Sequence, residues 1–501
     1  MRRAAPAPFL ILAALVLIAI AWMRGGEYDE FYSVFLIAGH PRPDWPHHPE
    51  TVAALRAFYH GHAAFGAIAH ALRTGDVHPP LYFWLLALWR DGLGIGLFRL
   101  RLLSIVFTLA ALAVLIRLAR TIGAPPLATA LITLLCYGFA YTGIVARDFA
   151  LAQLLSLIGV LALIEADRRA RPLPALLGGI ALGAACFSNY LASFTTIAGL
   201  LWMLAVNRAR PSLWIASAIG AALFIPAGVW FFLAQQGTRP GQFHPFALLP
   251  AMADLARDQG GALLGALPRE GPHAAASPLE ALLAAFLIIL AIVIARSGLT
   301  ALAPRHRALI LAGIAAPPVG LLALGALFDN MPIEVRYLWL GLPYLGLALA
   351  TGLRRHPWLL APLLAIQTAA IIGLAVAPRT MQPAARTEAA AAAFLRPDTL
   401  VLIPFGNDGV GIPGPFIAAA PANMTILVAR RAATTPNRAA PYRRVIIANI
   451  RVDAASRTLV PQLRAAFATA CWQRETSPAA ITIFDNLCLR PKAPPARSAP
   501  A

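Results

Sequence analysis

Three carboxylates follow the first apolar run of the chain almost at once. The run extends over residues 9–23, and Glu27, Asp29 and Glu30 come directly after it. Neighbouring carboxyl groups split their pKa values, which suits one member of a pair to remove a proton. We therefore read Asp29 and Glu30 as a candidate general base with a second acid, held where a lipid head group would lie. The alternative is a solvated helix end.

Cationic and polar side chains that suit a phosphate stand at later breaks between apolar runs. Arg147 precedes Asp148 at one break, and Arg336 precedes Tyr337 at another, while His78 comes before two prolines. Arginine presents a planar fork of donors that matches phosphate oxygens, and an imidazole can contact the same group. The plainer alternatives are a structural Arg–Asp pair and a helix start at the prolines.

Acids and cations from separate loops are what group transfer from a lipid phosphate requires, because the acceptor needs a base and the departing phosphate needs positive charge. Polar residues at 235–239 and His244 could join the same cavity. The sequence has no CxxC motif and no His–Cys cluster of the metal-binding type, so it assigns no metal or other cofactor. The acids could nevertheless hold a divalent cation.

The composition is typical of a protein embedded in a lipid membrane. Of 501 residues, 59% are hydrophobic and only 13% are charged, whereas ordinary soluble domains are near a quarter charged. The net charge of +19 comes almost entirely from arginines in short clusters between apolar runs, and topogenic charges have this distribution. The pattern argues against a soluble enzyme and against nucleic-acid binding.

The apolar runs predict an all-α polytopic membrane protein. Crossing a bilayer takes roughly 20 apolar residues per helix, and about eleven runs approach that length. The first run, 9–23, lacks a cleavage site and is predicted to remain as a membrane anchor. The other predicted spans are 101–119, 124–145, 149–165, 172–188, 190–206, 212–234, 278–296, 306–328, 336–353 and 357–377.

The placement of the segment 79–96 decides the predicted orientation of the chain in the membrane. It is apolar but short and rich in aromatic residues, as interfacial helices are. If it lies at the surface, the five arginine clusters that follow all face the cytoplasm together with the N-terminus. The loops 24–100 and 235–277 and everything after about residue 378 are then outside.

The chain after the last span has the composition of a folded domain. We predict a transmembrane domain over 1–377, a small extracytoplasmic α/β domain over 378–490 and a disordered tail over 491–501. Outside the cytoplasm, Cys471 and Cys488 could form a disulfide across a hairpin. Short β-like runs in this domain are 399–403, 444–447 and 480–484.

These motifs resemble those of the GT-C fold glycosyltransferases of family 39, which include the protein O-mannosyltransferases and the lipid A aminoarabinose transferases. The resemblance covers about residues 1–355, and the order of the motifs agrees with the predicted sides of the membrane. It is carried by Asp29-Glu30, His78-Pro79-Pro80-Leu81, Arg99-Leu100-Arg101-Leu102-Leu103-Ser104, Arg147-Asp148-Phe149-Ala150-Leu151, Arg336-Tyr337-Leu338 and Pro343.

The resemblance implies an inverting transfer of a sugar from a polyprenyl-phosphate-linked donor to a lipid, glycan or protein acceptor. The reaction would take place at the periplasmic face of a bacterial inner membrane. Asp29 would be the general base and Asp148 a second outer acid, although Arg147-Asp148-Phe149 departs from the usual family pattern. His78, Arg147 and Arg336, with Tyr337 beside it, would bind the donor phosphate.

Two other classes of function remain open at this point. A ligase or phosphotransferase acting on lipid carriers would use the same kind of face. A transporter or flippase for such carriers would be expected to place charges within its spans or to show paired broken helices. The acids of this chain stand at predicted span ends, and no internal repeat is evident. Both observations favour the glycosyltransferase.

Overall fold

A computed structural model of the chain describes residues 6–235, 245–265, 278–331, 333–376 and 383–489. Three short 3-10 helices span Arg56–Tyr59, Val335–Gly341 and Pro357–Leu359. The strands are β1 (Glu50–Thr51), β2 (Thr399–Pro404), β3 (Thr425–Ala429), β4 (Arg444–Ala448), β5 (Trp472–Glu475) and β6 (Ile481–Asn486). The α-helices are α1 (Pro6–Met23), α2 (Glu30–Ala38), α3 (Val52–Leu55), α4 (Phe65–Gly75), α5 (Leu81–Leu93), α6 (Leu97–Ile122), α7 (Pro126–Leu135), α8 (Tyr137–Ile144), α9 (Phe149–Arg169), α10 (Pro172–Cys186), α11 (Ala192–Val206), α12 (Pro211–Ala222), α13 (Ile225–Gln235), α14 (Leu248–Leu264), α15 (Pro278–Ala301), α16 (Pro304–Phe328), α17 (Leu342–Gly352), α18 (Leu360–Val376), α19 (Pro383–Ala393), α20 (Pro413–Ala419), α21 (Thr435–Ala439) and α22 (Ala454–Ala466).

The chain divides into two compact units. The first unit comprises residues 1–24 and 64–380, and the second comprises residues 25–63 and 381–501. The sequence analysis assigns residues 25–63 to an outer loop of the transmembrane domain, so the structure differs on this point. The physical reason is that this segment supplies β1 to the sheet of the second unit, where Glu50 pairs with Ile426. The tail 491–501, predicted to be disordered, lies outside the described residues.

The first unit is built from apolar helices. Five described helical segments are long and apolar enough to cross a membrane, namely α1, α6, α9, α16 and the stretch Pro357–Val376. The bent pairs α7–α8 (73°) and α12–α13 (43°) raise the number to seven if each pair is one span. Two more predicted spans are apolar helices of 15 residues, α10 and α11. The predicted span 336–353 is instead a 3-10 helix followed by the 11-residue α17. The total of eleven spans stays a prediction.

The long helix α9 separates two polar clusters in the first unit. Asp167, near its C-terminal end, lies 2.9 Å from Arg305 and 4.0 Å from Arg210. Asp148 stands at the opposite end, before the first residue of α9. At 1.5 Å per residue, the 21 residues of α9 hold the two ends about 30 Å apart. Arginines that the sequence analysis places on one side of the membrane therefore meet at one end of the helix. Which end faces the cytoplasm stays a prediction.

The second unit is built on a mixed six-stranded sheet in the order β1-β3-β2-β4-β6-β5. β2 is parallel to both β3 and β4, and the other pairs are antiparallel. The three β-like runs of the sequence correspond to β2, β4 and β6. Alternate residues of these strands pack against α22 in a buried core that includes Leu402, Ile447 and Phe467. Cys471 and Cys488 form a disulfide across the β5–β6 hairpin, with Cα atoms 5.1 Å apart.

Candidate active site

A chain of hydrogen bonds links three of the polar residues that the sequence motifs single out in the first unit. The Nδ1 atom of His78 lies 2.9 Å from the Oδ2 atom of Asp148. The Nη2 atom of Arg147 lies 2.6 Å from the other ring nitrogen, Nε2. His78 is thus held between the carboxylate and the guanidinium, although it is about 70 residues away from both in the sequence.

The chemistry of the two partners determines what each nitrogen of His78 does. A guanidinium group can only donate hydrogen bonds, so Nε2 must accept the bond from Arg147. The single ring proton of the neutral imidazole then lies on Nδ1 and is donated to Asp148. Both nitrogens of His78, which the sequence analysis expects to contact a phosphate, already have protein partners. In this arrangement His78 orients Arg147.

Three further side chains, from the turn between α10 and α11 and from the end of α13, position this chain. The Nδ2 atom of Asn189, in the turn between α10 and α11, donates to Asp148 Oδ2 at 3.1 Å. The Nε2 atom of Gln235, the last residue of α13, donates to the carbonyl of His78 at 3.0 Å. Tyr190 in turn donates to Gln235 Oε1 at 2.9 Å. The sequence analysis groups Gln235 with 236–239 and His244, and those others lie outside the described residues.

Arg147 and Asp148 are buried, with 3% and 0% of their surfaces exposed. The Nε and Nη1 atoms of Arg147 and the Oδ1 atom of Asp148 are buried without a hydrogen-bond partner in the described part of the chain. The face of the Phe83 ring lies 5.7 Å from the Arg147 guanidinium and adds a cation–π contact. An unsatisfied buried donor costs about 1–3 kcal/mol, and more when it is charged. The free donors of Arg147 therefore favour an anionic ligand.

Arg336 and Tyr337 occupy the 3-10 helix that precedes α17. The Nε atom of Arg336 lies 2.6 Å from a carboxylate oxygen of Glu334, and its guanidinium lies 5.2 Å from the Tyr337 ring. The same 3-10 helix contacts the start of α9 through Trp339, which donates to the carbonyl of Phe149 at 3.1 Å. The structure thus gives Arg336 an acidic partner, in contrast to Arg147.

The carboxylates after α1 belong to the second unit, at the start of α2. Glu30 is fully buried, and one of its carboxylate oxygens accepts the backbone N–H of Glu27 at 2.9 Å. Asp29 precedes the first residue of α2, but its side chain makes no capping hydrogen bond. Asp29 is partly exposed. Of the two acids, only Asp29 is partly exposed, so it is the better placed to meet a substrate.

A glycine-rich loop after β2 holds the first turn of α2. The Tyr32 hydroxyl donates to the carboxylate of Asp408, whose other oxygen accepts the N–H of Val410 at 3.0 Å. A Cβ atom on Gly411 would collide with the Tyr28 ring, so only glycine fits there. Burial and the nearby carboxylate of Asp408 raise the pKa of Tyr28 well above its usual value, which keeps the phenol neutral.

The structure brings His78, Arg147 and Asp148 together within the first unit and places Asp29 and Glu30 together in the second. Sequence reasoning missed Asn189 and Asp408 as partners of these groups. The sequence gives a weak indication that Asn189 is functional, because it stands in a short polar turn between two apolar runs. We recognise no feature of the sequence that would have pointed to Asp408. The described residues contain no group of three or more His, Cys, Asp or Glu side chains arranged to hold a metal ion.

Residues 77–230 match the family model described as dolichyl-phosphate-mannose-protein mannosyltransferase. The matched segment contains His78, Arg147, Asp148 and Asn189, whereas Asp29 lies outside it. No curated protein sequence matches the chain.

A solved structure similar to this chain is that of ArnT from Cupriavidus metallidurans bound to undecaprenyl phosphate. ArnT is a GT-C glycosyltransferase. The two chains are 14% identical, with a TM-score of 0.51, and the alignment covers 97% of this chain and 99% of that chain. The chain has the GT-C fold. ArnT from the same organism in the apo state aligns at 15% identity with a TM-score of 0.35, over 95% of this chain and 97% of that one.

The GT-C fold confirms the resemblance inferred from the sequence motifs. With its series of apolar helices, the chain is a multi-pass membrane protein that combines this fold with a small C-terminal sheet. The family match covers only the part of the GT-C fold that contains the His78–Arg147–Asp148 cluster, and the acids at 29 and 30 are not part of that match.

Proposed function

We propose that the chain is a membrane glycosyltransferase that takes a sugar from a polyprenyl-phosphate-linked donor. The GT-C fold supports the enzyme class. The matching family model is named for a dolichyl-phosphate sugar, and the similar ArnT structure holds undecaprenyl phosphate, so both point to this class of donor. The acceptor class, whether lipid, glycan or protein, is left to the experiment below.

The observation that carries the proposal is the state of Arg147. Its guanidinium is buried, and one nitrogen is fixed by His78 while two others lack partners among the described residues. Two buried nitrogens of one guanidinium therefore have N–H donors to offer to phosphate oxygens. Because the cluster is already formed by the protein, little reorganisation would be needed when the phosphate gains charge during transfer.

The reaction that we propose is a single displacement with inversion at the anomeric carbon. Asp29 accepts the proton of the acceptor hydroxyl or amine as the acceptor atom forms a bond to the anomeric carbon. The bond from that carbon to the phosphate oxygen breaks, and the polyprenyl phosphate leaves with the electron pair. Arg147 stabilises the negative charge that grows on the phosphate, while His78 and Asp148 keep the guanidinium in place.

The test compares envelope lipids and glycans by mass spectrometry from strains that carry the wild-type gene, a deletion, or the deletion complemented with Arg147→Gln. Removing one donor from a charge-stabilising site costs about 100- to 1,000-fold in rate, so the Arg147→Gln strain should lack the same sugar mass as the deletion strain. The acceptor that loses the mass identifies the acceptor class.

The matched control is Arg171→Gln, which removes an exposed arginine of the same unit. This strain should keep the sugar. A deletion that leaves every glycan unchanged, or full activity of Arg147→Gln, would contradict the proposal. Loss of transport of an intact lipid-linked sugar, without loss of transfer in detergent extracts, would favour a flippase instead.

A further inference from the structure

A cavity of about 400 Å³ lies within the second unit, at the carboxyl end of β3. This volume is within the range of about 300–1,000 Å³ that is usual for small-molecule sites. The last residues of β3 form one wall. The polar lining consists of His47, Arg430, Arg431, Thr434, Thr435 and Arg438. This lining is separate from the residues assigned to sugar transfer.

The lining of the cavity is basic. Arg430 is paired with Asp44 at 2.9 Å and lies 4.4 Å over the Phe405 ring. By contrast, Arg431 and Arg438 have no acidic partner within 4.0 Å in the described part of the chain. No acidic residue lines the cavity. A concave surface with unbalanced charge of one sign concentrates counter-ions.

Membrane topology does not account for these arginines. Topogenic charges act within roughly 20 residues of a span, and Arg430 lies far beyond that distance from the end of α18 at Val376. Ion pairing within the described residues does not account for Arg431 and Arg438 either, and like charges in one concavity repel each other. The turn that carries them is fixed by a hydrogen bond of 2.6 Å from the Thr435 hydroxyl to the carbonyl of Arg431. The backbone thus holds two unpaired arginines on one cavity.

We infer that this cavity binds a phosphate or pyrophosphate group. Two guanidinium forks can contact several phosphate oxygens at once, and the hydroxyl of Thr434 and the ring of His47 offer further polar contacts. The group could belong to a soluble phosphate compound or to the headgroup of a lipid, because both present the same oxygens. The inference is independent of the proposed transfer, since it concerns binding alone.

The first experiment is protection from arginine modification in the unaltered full-length protein. The protein is treated with phenylglyoxal in phosphatidylcholine nanodiscs, with and without inorganic pyrophosphate, and modified peptides are quantified by mass spectrometry. Pyrophosphate should slow modification of Arg431 and Arg438 at least about fivefold. It should slow that of Arg451 and Arg457, which are also exposed but do not line the cavity, less than about twofold. Equal effects on all four arginines would overturn the inference.

A second set of nanodiscs separates the two sources of the group. Protection by soluble pyrophosphate in neutral nanodiscs assigns the cavity to a soluble phosphate compound. Protection by phosphatidic acid within the nanodisc, without added pyrophosphate, assigns it to a lipid headgroup. Absence of protection by either probe contradicts the inference.

Variants supply an independent measurement by calorimetric titration with inorganic pyrophosphate. All proteins carry Arg147→Gln, so that the cluster in the first unit contributes nothing. Adding Arg431→Gln and Arg438→Gln should weaken binding at least about tenfold, because both substitutions remove charged hydrogen bonds to the phosphate oxygens. Adding Arg451→Gln and Arg457→Gln removes the same charge and should change the affinity less than about threefold. An equal loss in both would show that only net charge matters.

Discussion

The two groups of candidate catalytic residues are held in different ways. In the first unit, Arg147 and Asp148 are buried at the end of the long helix α9, and neighbouring helix ends complete the cluster. In the second unit, Asp29 is partly exposed on the short helix α2, and a loop of the sheet fixes its first turn through Asp408. The cation thus depends on packing between apolar helices, whereas the acid depends on the folding of the sheet in the second unit.

This difference predicts different responses to mutation. Two buried nitrogens of Arg147 have no hydrogen-bond partner among the described residues, so under the proposed function changes there should act on donor binding and on the stability of the leaving phosphate. Asp29 does not cap α2 through its side chain, so its replacement should leave the helix cap unchanged and act chiefly on proton transfer. Changes in both groups should therefore lower kcat, and only those around Arg147 should also raise the KM for the donor.

The largest effect is expected for Asp29→Asn. A positioned general base contributes about 100- to 10,000-fold, so kcat should fall by this factor while the protein stays folded in the membrane. The measurement is transfer from a radiolabelled polyprenyl-phosphate sugar in detergent extracts. Asp398→Asn, an exposed carboxylate of the same unit with a left-handed backbone that asparagine tolerates, is the control. Wild-type activity in Asp29→Asn would remove Asp29 from the mechanism.

A smaller effect is expected at His78, and two variants divide its two bonds. His78→Asn can keep a donor toward Asp148 but loses the acceptor for Arg147, whereas His78→Gln can keep that acceptor. If His78 orients Arg147, the Asn variant should lose about 10- to 100-fold in kcat/KM and the Gln variant less, since a hydrogen bond to a charged group contributes about 1.5–3 kcal/mol. The reverse ranking would show that the bond to Asp148 matters more.

Asp408→Ala should have a moderate effect on transfer although it lies far from Asp29 in the sequence. It removes the acceptor for the Tyr32 hydroxyl and loosens the start of α2, so we expect about a tenfold loss in kcat. Asp408→Asn keeps an acceptor and should recover most of the activity. Equal loss in both variants, with unchanged thermal unfolding, would point to a role for the negative charge itself.

The sequence predicted the apolar helices well, because runs such as those of α6, α9 and α16 are long and uninterrupted. The strands β2, β4 and β6 were predicted from β-branched residues, whereas β1 has only two residues and no readable pattern. The sequence also predicted that His78 and Arg147 share one end of the helices. It could not predict that His78 bridges Arg147 and Asp148, because that depends on side-chain directions set by packing. Nor could it link Tyr32 with Asp408 across 376 residues.

The smallest effect on transfer, and a distinct effect on stability, is expected for the disulfide. Cys471 and Cys488 are separated by 17 residues, and closing a loop of this size stabilises by about 3 kcal/mol in the chain-entropy model. Cys471→Ser with Cys488→Ser should lower the unfolding temperature of the second unit by several degrees, measured by differential scanning fluorimetry. Transfer at low temperature should change less than about twofold. Alkylation of both cysteines without reductant in the wild type would show that the bond is absent from the mature protein.

The pairing of β1 with β3 has a consequence for biosynthesis. Residues 25–63 leave the ribosome soon after the first helix, but the strand that pairs with Glu50 and Thr51 is made only after nearly all the other apolar helices have emerged. The segment that contains Asp29 therefore remains without its pairing strand through most of translation. A chain stopped before β3 would contain the Arg147 cluster but not the sheet that fixes Asp29. Under the proposed mechanism, a newly made molecule can transfer a sugar only after β3 has been made and has paired with β1.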